Sequence, residues 1–267
     1  MSDNKLRRLD LILREMKSFI IAFSGGVDST FLLHRASVTE GIRYSAVTIR
    51  TPYIPEREIG EASEFCRLNG IKHMIIDLPF SETVRDNPLE RCYLCKKQLF
   101  GHLKNYAVQN SFAFVTDGTN ADDTGDYRPG IRALKEMGIR SPLMEAGLDK
   151  SEIRDYSRKE GLPTWDKPAY ACLLTRIPYN TMISEKDLEM IEKAENFLFE
   201  KGFYGARVRK HNETARIECM PGYLNRFIAD PDRVQIVDTL KKIGFRFISL
   251  DLEGYRTGSM NPDKKDL

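Results

Sequence analysis

Residues 19–29 read Phe-Ile-Ile-Ala-Phe-Ser-Gly-Gly-Val-Asp-Ser, and this stretch determines the fold class that we predict. Its first five residues are apolar, which is typical of a strand buried on both faces of a parallel sheet. Gly25 and Gly26 then permit a tight turn, and the pattern from 27 to 36 predicts a helix. Backbone N–H groups in such a turn, together with the positive end of the helix, can bind an anion. The stretch therefore predicts a phosphate-binding loop between a strand and a helix.

The spacing of the glycines excludes two familiar phosphate-binding loops. A Walker loop requires GxxxxGK[ST], a dinucleotide-binding fold requires GxGxxG, and the sequence contains neither pattern. The remaining alternative is an ordinary strand–helix turn, since Gly-Gly turns are common. The complete string from Ser24 to Ser29, in a strand–turn–helix setting, favours the phosphate-binding loop over that alternative.

Strands and helices continue to alternate around this stretch. A cap at Asn87, with Pro88 at the first helical position, predicts the start of a helix that runs to about Gln109. The other predicted elements of this part are helices over 5–17 and 55–69 and strands over 43–49, 72–78 and 112–116. Strands that alternate with helices predict an α/β fold with a parallel, doubly wound sheet.

The pattern changes in the last third of the chain, where a smaller α+β domain is predicted. Its elements are helices over 184–201 and 231–243 and strands over 206–211, 214–220 and 245–252. The stretch before it is rich in proline, carries Cys172 and connects the two parts, and such connections often line sites. We expect a first domain over 1–165, a connecting segment over 166–183 and a second domain over 184–267.

Composition and charge exclude several classes of protein. The 267 residues include 41 Lys+Arg and 39 Asp+Glu, which gives a net charge of +2, a poor fit to a protein that coats nucleic acid. A hydrophobic content of 41% is too high for a disordered chain. The sequence shows neither a signal-peptide core nor an apolar run of membrane-spanning length. We expect a cytoplasmic protein with no nucleic-acid or membrane partner.

Five cysteines, an odd number in a long chain, argue against a secreted disulfide scaffold. Cys92 and Cys95 form a CxxC pair on one side of a predicted first helical turn. A single CxxC is most often half of a zinc site or a redox pair, and no second CxxC or CxxH completes a zinc site here. Cys66 and Cys219 fall at apolar positions and are predicted to be buried structural thiols.

Several stretches together carry a resemblance to a known family. SGGVDS, residues 24–29, resembles the PP-loop of the N-type ATP pyrophosphatases, which cleave ATP between the α and β phosphates. The further stretches are DGTNADD (117–123), RPGIRAL (128–134), SPL (141–143), KPAYACLLTRIPY (167–179) and RVRKHNETARIE (207–218). With the PP-loop they are similar to the LarE family over nearly the whole chain.

The resemblance implies a PP-loop fold and an ATP-dependent sulfurtransferase with ATP and Mg²⁺ as cofactors. Family members adenylylate a carboxylate of pyridinium-3,5-biscarboxylic acid mononucleotide, release pyrophosphate and replace the oxygen with sulfur, in the synthesis of the nickel-pincer cofactor. The partners implied are this small molecule and sulfide or a sulfur donor, and relatives form homo-oligomers. A PP-loop tRNA thiolation enzyme and a nucleotide-binding sensor without chemistry are the alternatives.

The resemblance also implies roles for individual residues. The predicted nucleotide contacts are Ser24, Gly25, Gly26, Val27, Asp28, Ser29, Thr48, Gly118 and Asp122. The predicted catalytic residues are Asp28 (near Mg²⁺), Lys96 and Cys172. The predicted ligands of the substrate phosphate are Arg176, Arg207, Arg209 and Glu218. The alternative for Asp122 is helix capping, and the alternative for the alternating arginines is a solvated strand face.

The cysteines leave two routes for the sulfur. The set Cys92, Cys95 and Cys172 resembles that of members in which three cysteines bind a 4Fe-4S cluster and leave one iron open to carry sulfide. In other members the cysteine that matches Cys172 gives up its own sulfur, and the CxxC pair is missing. The presence of the pair here favours the cluster, and sacrificial donation by Cys172 remains the alternative.

Overall fold

The computed structural model describes residues 2–125, 129–168, 171–229, 231–256 and 259–260. The chain folds as two compact units. The first unit comprises Met1–Pro79 and Glu90–Tyr170, and the second comprises Phe80–Leu89 and Ala171–Leu267. Each unit therefore contains segments that are separated in sequence.

The first unit is built on a parallel sheet. Its strands are β1 (Ser18–Ala22), β2 (Arg43–Arg50), β3 (His73–Asp77) and β4 (Phe114–Thr116), in the order β3-β2-β1-β4. Its helices are α1 (Ser2–Met16), α2 (Val27–Val38), α3 (Glu56–Leu68), α4 (Arg91–Gln109), α5 (Pro129–Glu136), α6 (Pro142–Glu145) and α7 (Lys150–Lys159). The predicted α/β fold with a parallel sheet is confirmed.

Burial on both faces of β1 explains why the run from residue 19 is uninterrupted and apolar. Phe19 and Ile21 pack into one hydrophobic cluster, which also contains Leu13. Ile20 lies on the other face, in a second cluster with Val47. β1 is central and covered on both sides, and its carboxyl end leads to the exposed Ser24. Ligands of α/β folds bind at such ends.

The second unit contains a three-stranded mixed sheet, with β5 (Arg207–His211), β6 (Thr214–Glu218) and β7 (Phe247–Leu250) in the order β5-β6-β7. The β5–β6 pair is antiparallel and the β6–β7 pair is parallel. The helices of this unit are α8 (Glu185–Glu200), α9 (Leu224–Ile228) and α10 (Asp232–Ile243). Val208, Ile217 and Leu240 are among the residues of its separate core, and the predicted small α+β architecture is confirmed.

The predicted helix start at Asn87 is wrong, because α4 begins at Arg91. Asn87 instead adopts a left-handed conformation, with a φ of 49°, and is fully buried in the second unit. Its side-chain amide donates hydrogen bonds to the carbonyl oxygens of Leu174, Ile177 and Pro178, at 3.3, 2.9 and 2.9 Å. An asparagine before a proline therefore anchors a distant loop here instead of capping a helix.

Helices between 129 and 159 and at 224–228 were not predicted. The clearest of them, α7, carries a local signal in its first turn. Asp149 accepts a hydrogen bond from the N–H of Glu152, whose carboxylate accepts one from the N–H of Asp149 in return. This is a capping box, and its D-x-x-E pattern is readable in sequence.

In the part of the chain that the structure describes, no helix is long and apolar enough to cross a membrane. The 19-residue α4, for example, carries Arg91, Lys96, Lys97 and Lys104.

Candidate functional site

The loop after β1 has a backbone that requires glycine at its first turn position. Gly25 has a φ of 67°, in the region that side chains rarely adopt, and a Cβ there would lie 3.1 Å from the Cβ of Ala62 on α3. Gly26 occupies the N-cap of α2, where it has no side chain to accept from the first N–H groups of the helix. The start of α2 therefore presents backbone donors that suit an anion.

Two hydroxyl groups and one close backbone approach fix the geometry of this loop. The Ser24 and Ser29 hydroxyl oxygens lie 3.1 Å apart, and the Ser29 hydroxyl donates to the carbonyl of Gly26 at 3.2 Å. From the other side, a Cβ at Gly118 would lie only 2.9 Å from the backbone N of Ser29. The chain after β4 can approach the loop this closely because residue 118 is glycine.

The position of Gly118 depends on a buried carboxylate. Asp117 accepts hydrogen bonds from the hydroxyls of Ser141 at 2.6 Å and of Thr119 at 2.5 Å. The backbone N–H of Asp117 donates to the carbonyl of Arg140 at 3.0 Å. These bonds hold the chain after β4 in the turn that brings Gly118 to the loop.

Asp28, in the first turn of α2, is the carboxylate at the centre of this region. Its Oδ2 lies 2.5 Å from the ammonium of Lys150, and its Oδ1 accepts from the side-chain amide of Asn120 at 3.3 Å. The side chains of Asp28 and Lys150 remain 22% and 32% exposed. Asp122 accepts a hydrogen bond from the backbone N–H of Lys150 at 2.9 Å. This contact at the start of α7 is consistent with helix capping, the alternative role for Asp122. Its nucleotide role stays a prediction.

Lys150 and Lys167 are two cations that sequence reasoning did not single out. The Lys167 ammonium donates to the carbonyl of Gly25 at 2.8 Å and lies 2.5 Å from the Glu61 carboxylate. Both lysines are far from the loop in sequence, so no local pattern marks them. The loop is thus bordered by two ammonium groups, which favour the approach of an anion.

Thr48 lies at the start of the loop, on β2. Its hydroxyl donates to the carbonyl of Phe23 at 2.6 Å, and its oxygen lies 2.8 Å from Nε2 of His73. Burial lowers the pKa of His73, so its imidazole is neutral near pH 7. The Thr48 hydroxyl thus fixes the chain at the end of β1. Its contact with the nucleotide stays a prediction.

Cys92 and Cys95 lie on the first turn of α4, as predicted. Cys92 is exposed, and the half-buried Cys95 thiol donates to the hydroxyl of Tyr53 at 3.6 Å. Between them Tyr93 donates from its hydroxyl to Glu136 on α5 at 2.6 Å. The two thiols therefore lie on one helical turn, which the hydrogen bond from Tyr93 to Glu136 links to α5.

Lys96 follows this turn and lies against α5. A Cβ at Gly130 would be 3.0 Å from Cδ of Lys96, so the glycine leaves room for the lysine side chain. Lys96 is half-buried, and its catalytic role stays a prediction.

All five cysteines lie in the described residues, and none of them forms a disulfide bond there. Burial raises the pKa of Cys66 to about 12 and also raises that of Cys219, which agrees with two structural thiols. Cys172, in the second unit, is half-buried at the N-cap of the 3₁₀ turn Leu173–Arg176. Among the described residues, no three His, Cys, Asp or Glu side chains are grouped as a metal site.

Arg176 forms a buried, bidentate ion pair with Glu195 in the second unit. Its Nε and Nη2 donate to the two carboxylate oxygens of Glu195 at 2.9 and 3.1 Å, and the side chains are 2% and 9% exposed. Nη1 of Arg176 also donates to the carbonyl of Cys172 at 3.3 Å. Burial opposes ionisation of Glu195, but Arg176 and Arg207 outweigh it and lower the pKa of Glu195.

Arg209 and Glu218 form a second buried pair, with Nη2 and Nε of Arg209 at 2.7 and 3.0 Å from one carboxylate oxygen. The other oxygen of Glu218 accepts from Ser259 at 2.7 Å and lies 3.1 Å from Nη2 of Arg216. Nη1 of Arg209 donates to the carbonyl of Thr175 at 3.0 Å. The structure thus brings this arginine and this glutamate together, as expected for neighbouring strands.

The alternative of a solvated strand face is excluded by burial. Arg207 and Arg209 are 4% and 5% exposed, and Arg207 pairs in register with Glu218 across the β5–β6 ladder. Alternation places the two arginines on one face, and in this fold that face is turned inward. Binding of a substrate phosphate by these arginines stays a prediction.

Comparison with known proteins shows similarity over both units, although no family model matches the chain. The chain is 38% identical to an uncharacterized protein of Synechocystis over 98% of each sequence. It is 33% identical to the pyridinium-3,5-bisthiocarboxylic acid mononucleotide synthase of Lactiplantibacillus plantarum, over 93% of this chain and 91% of that protein. It is also 29% identical to one subunit of the glutamine-hydrolyzing GMP synthase of Thermoplasma volcanium, over 56% of this chain and 53% of that protein.

Proposed function

The chain belongs to the LarE family, and on that premise we propose that it is an ATP-dependent sulfurtransferase. The proposed substrate is pyridinium-3,5-biscarboxylic acid mononucleotide, one carboxylate of which becomes a thiocarboxylate during synthesis of the nickel-pincer cofactor. The observation that carries the proposal is the 33% identity with the L. plantarum synthase over nearly the whole chain. The similarity to a GMP synthase subunit supports the use of ATP by the same type of loop.

In the first step proposed, the loop from Ser24 to Ser29 binds the β and γ phosphates of ATP through backbone N–H groups. A carboxylate oxygen of the substrate attacks the α phosphorus, the bond to the β-phosphate oxygen breaks, and pyrophosphate leaves. Asp28 is the residue that would hold Mg²⁺, since its carboxylate is partly exposed beside the loop and hard cations prefer oxygen ligands. The ion would neutralise charge on the phosphates. Lys150 supplies a second positive charge there.

In the second step proposed, a sulfur nucleophile attacks the carbonyl carbon of the acyl adenylate. The bond from that carbon to the AMP oxygen breaks as the carbon–sulfur bond forms, and AMP leaves. Adenylylation is needed because the oxygen of a free carboxylate is a poor leaving group. We propose that Cys172 acts in this step, as the family resemblance implies, and that Lys96 acts on the same dianionic substrate.

Arg176, Arg207 and Arg209, with Glu218, are proposed to bind the phosphate of the substrate. Supporting this, the ion pairs of the second unit hold the guanidinium groups in fixed orientations. Guanidinium forks suit phosphate oxygens, and a phosphate would have to take N–H groups that now donate to protein acceptors.

For the sulfur source, we propose that Cys92, Cys95 and Cys172 hold a 4Fe-4S cluster. The donor chemistry fits, because two thiols share one helical turn and all three residues are at least partly exposed. Such a cluster would supply an open iron that carries sulfide. The described residues do not gather three ligands into one group, which keeps sacrificial donation by Cys172 as the second candidate.

The deciding experiment is anaerobic turnover with ATP, Mg²⁺, sulfide and the pyridinium mononucleotide, with mass spectrometry of product and protein. We expect substrate-dependent release of pyrophosphate and a thiocarboxylate product, and loss of both in Asp28→Asn. Absence of product from folded wild-type protein would overturn the proposal. A parallel arm with tRNA tests the thiolation alternative, which a thiolated nucleoside would support.

The sulfur source is tested on the same preparations. A cluster gives visible absorption and bound iron that are lost in Cys172→Ala and Cys92→Ala and kept in Cys66→Ala, the matched control at a buried thiol outside the set. Iron-free protein after anaerobic reconstitution, with Cys172 lighter by one H₂S after turnover, would show sacrificial donation instead.

A further inference from the structure

Lys150 joins the start of α7 to the start of α2. Its ammonium lies 2.5 Å from Oδ2 of Asp28, the carboxylate that is assigned to Mg²⁺ in the proposed function. Lys150 is the first residue of α7 and Asp28 the second residue of α2. The ammonium therefore holds one of the two carboxylate oxygens that a metal ion would need.

The main chain at Lys150 is fixed independently of its side chain. The N–H of Lys150 donates to Oδ2 of Asp122 at 2.9 Å, and the N–H of Asp122 donates to Oδ1 of Asn120 at 3.0 Å. The Lys150 side chain, by contrast, is 32% exposed and has a flexible stem. The ammonium can therefore leave Asp28 by rotation about side-chain bonds, without a movement of α7.

The charges of this pair disfavour a divalent cation that arrives without nucleotide. Such an ion would gain the carboxylate of Asp28 and would also meet the like charge of the Lys150 ammonium. Among the described residues, Asp28 is not part of a group of three acidic, His or Cys side chains that could hold a metal ion. Mg²⁺ in proteins usually binds one or two carboxylates together with substrate phosphates. ATP would thus bring the missing oxygen ligands and the negative charge that both cations require.

We propose that Lys150 is an exchangeable counter-ion of Asp28. It pairs with Asp28 in the nucleotide-free protein and moves to the phosphates when Mg²⁺ binds with ATP. The inference rests on the proposed function, in which ATP and Mg²⁺ bind at this loop. It goes beyond that function because one residue excludes the bare cation, so that metal and nucleotide enter together. The alternative is a fixed link between the two helices, in which Lys150 stays on Asp28 throughout.

The test is a titration of nucleotide-free protein with Mn²⁺, which prefers the same oxygen ligands as Mg²⁺. The electron paramagnetic resonance signal of the free ion measures binding. We expect Lys150→Met to bind Mn²⁺ more tightly than wild type by about fivefold or more, the lower end of typical coupling between two sites. Lys150→Gln, a second neutral variant, should show the same gain. Adding Asp28→Asn to Lys150→Met should remove the gain, which would locate the ion at Asp28.

Lys5→Met is the matched control. Lys5 pairs with Glu152, also on α7, at 2.7 Å, and the two side chains are partly exposed as in the Lys150 pair. This variant removes one positive charge and one ion pair of α7 and leaves the pair at Asp28 in place. It should bind Mn²⁺ as wild type does, and an equal gain in Lys5→Met would reduce the effect to net charge and overturn the exchange.

Equal or weaker Mn²⁺ binding in Lys150→Met that is folded by circular dichroism would also overturn the exchange and would show a fixed link. Binding of ATP with Mg²⁺ is measured on the same proteins by calorimetry. Wild-type protein that binds ATP, with no gain in the Lys150 variants, would overturn the exchange alone. Wild-type protein that fails to bind ATP would overturn the proposed function and, with it, the entry of metal and nucleotide together.

Discussion

The charges beside the loop of the first unit and those of the second unit are held in opposite ways. Asp28 and Lys150 meet through one oxygen at 2.5 Å, and both side chains remain partly exposed. Arg176 and Glu195 meet through two bonds, at 2.9 and 3.1 Å, and are almost completely buried. A partly exposed pair contributes about 1 kcal/mol or less and can exchange partners, whereas breaking a buried pair costs several kcal/mol. The ion pair beside the loop can therefore open when a ligand binds and re-form when it leaves. The buried pair in the second unit keeps its arginine in one orientation.

The largest effect expected from this comparison is on the second unit. Glu195→Gln removes the charge that compensates Arg176, and we expect it to lower the free energy of unfolding by about 3–5 kcal/mol. Urea unfolding followed by far-ultraviolet circular dichroism measures the change. Glu189→Gln, in an exposed pair with Lys193 on the same helix, should cost about 0.5 kcal/mol or less. Equal costs for the two variants would contradict the difference between buried and exposed pairs.

Acid should reveal the same buried pair. The pKa of Glu195 is lowered in the folded protein, although burial opposes this, because Arg176 and Arg207 stabilise the carboxylate. A carboxyl with a lowered folded pKa contributes stability above its unfolded pKa of about 4.3, and this contribution disappears as the pH falls through the folded value. Wild-type stability should therefore decline below about pH 4, and Glu195→Gln should decline less steeply. Parallel slopes in thermal unfolding would count against this assignment.

A smaller effect is expected at Gly118. An alanine Cβ there would lie 2.9 Å from the backbone N of Ser29, so the loop must shift. We expect Gly118→Ala to lower the free energy of unfolding by about 1–3 kcal/mol, the usual cost of overpacking, and to weaken ATP binding in calorimetry. Gly101→Ala is the matched control, since a Cβ at that helical position contacts nothing within 4 Å. It should bind ATP as wild type does and be more stable by about 0.5–1 kcal/mol.

The smallest effect on stability is expected at Lys150. Because its pair with Asp28 is partly exposed, Lys150→Met should change the free energy of unfolding by less than about 1 kcal/mol. The same variant should weaken ATP binding, because a cation beside the phosphates is lost. A loss of stability as large as that of Glu195→Gln would show that the two regions hold their charges in the same way.

The sequence predicted what is local and missed what is assembled from distant positions. The run from Phe19, the glycine turn and α2 lie within one short stretch, and so hydrophobic pattern and turn chemistry identified them. Lys150 and Lys167 reach the loop from 122 and 142 residues away, a separation that no periodicity reports. In the sequence, these two lysines resemble any charged surface residue.

The arginines show a second limit of sequence reasoning. Alternation along β5 correctly placed Arg207 and Arg209 on one face, but it could not show that this face is buried as well as the face that carries Val208. Burial of that face depends on Glu195, which α8 supplies from an earlier part of the chain. Asn87 illustrates the same point, since its role is defined by carbonyls beyond residue 170.

The placement of residues 80–89 has a consequence for how the chain matures on the ribosome. This short piece belongs to the second unit and is secured there by Asn87, whose carbonyl also accepts from the N–H of Asn180 at 3.0 Å. Nascent chains emerge from the amino terminus, so the piece is synthesised long before its partners. Until residues 171–183 follow, the side-chain amide of Asn87 lacks the carbonyl oxygens to which it donates in the folded protein. The first unit, interrupted by this piece, is thus synthesised in full before the second can close, and neither unit corresponds to one uninterrupted stretch of its gene.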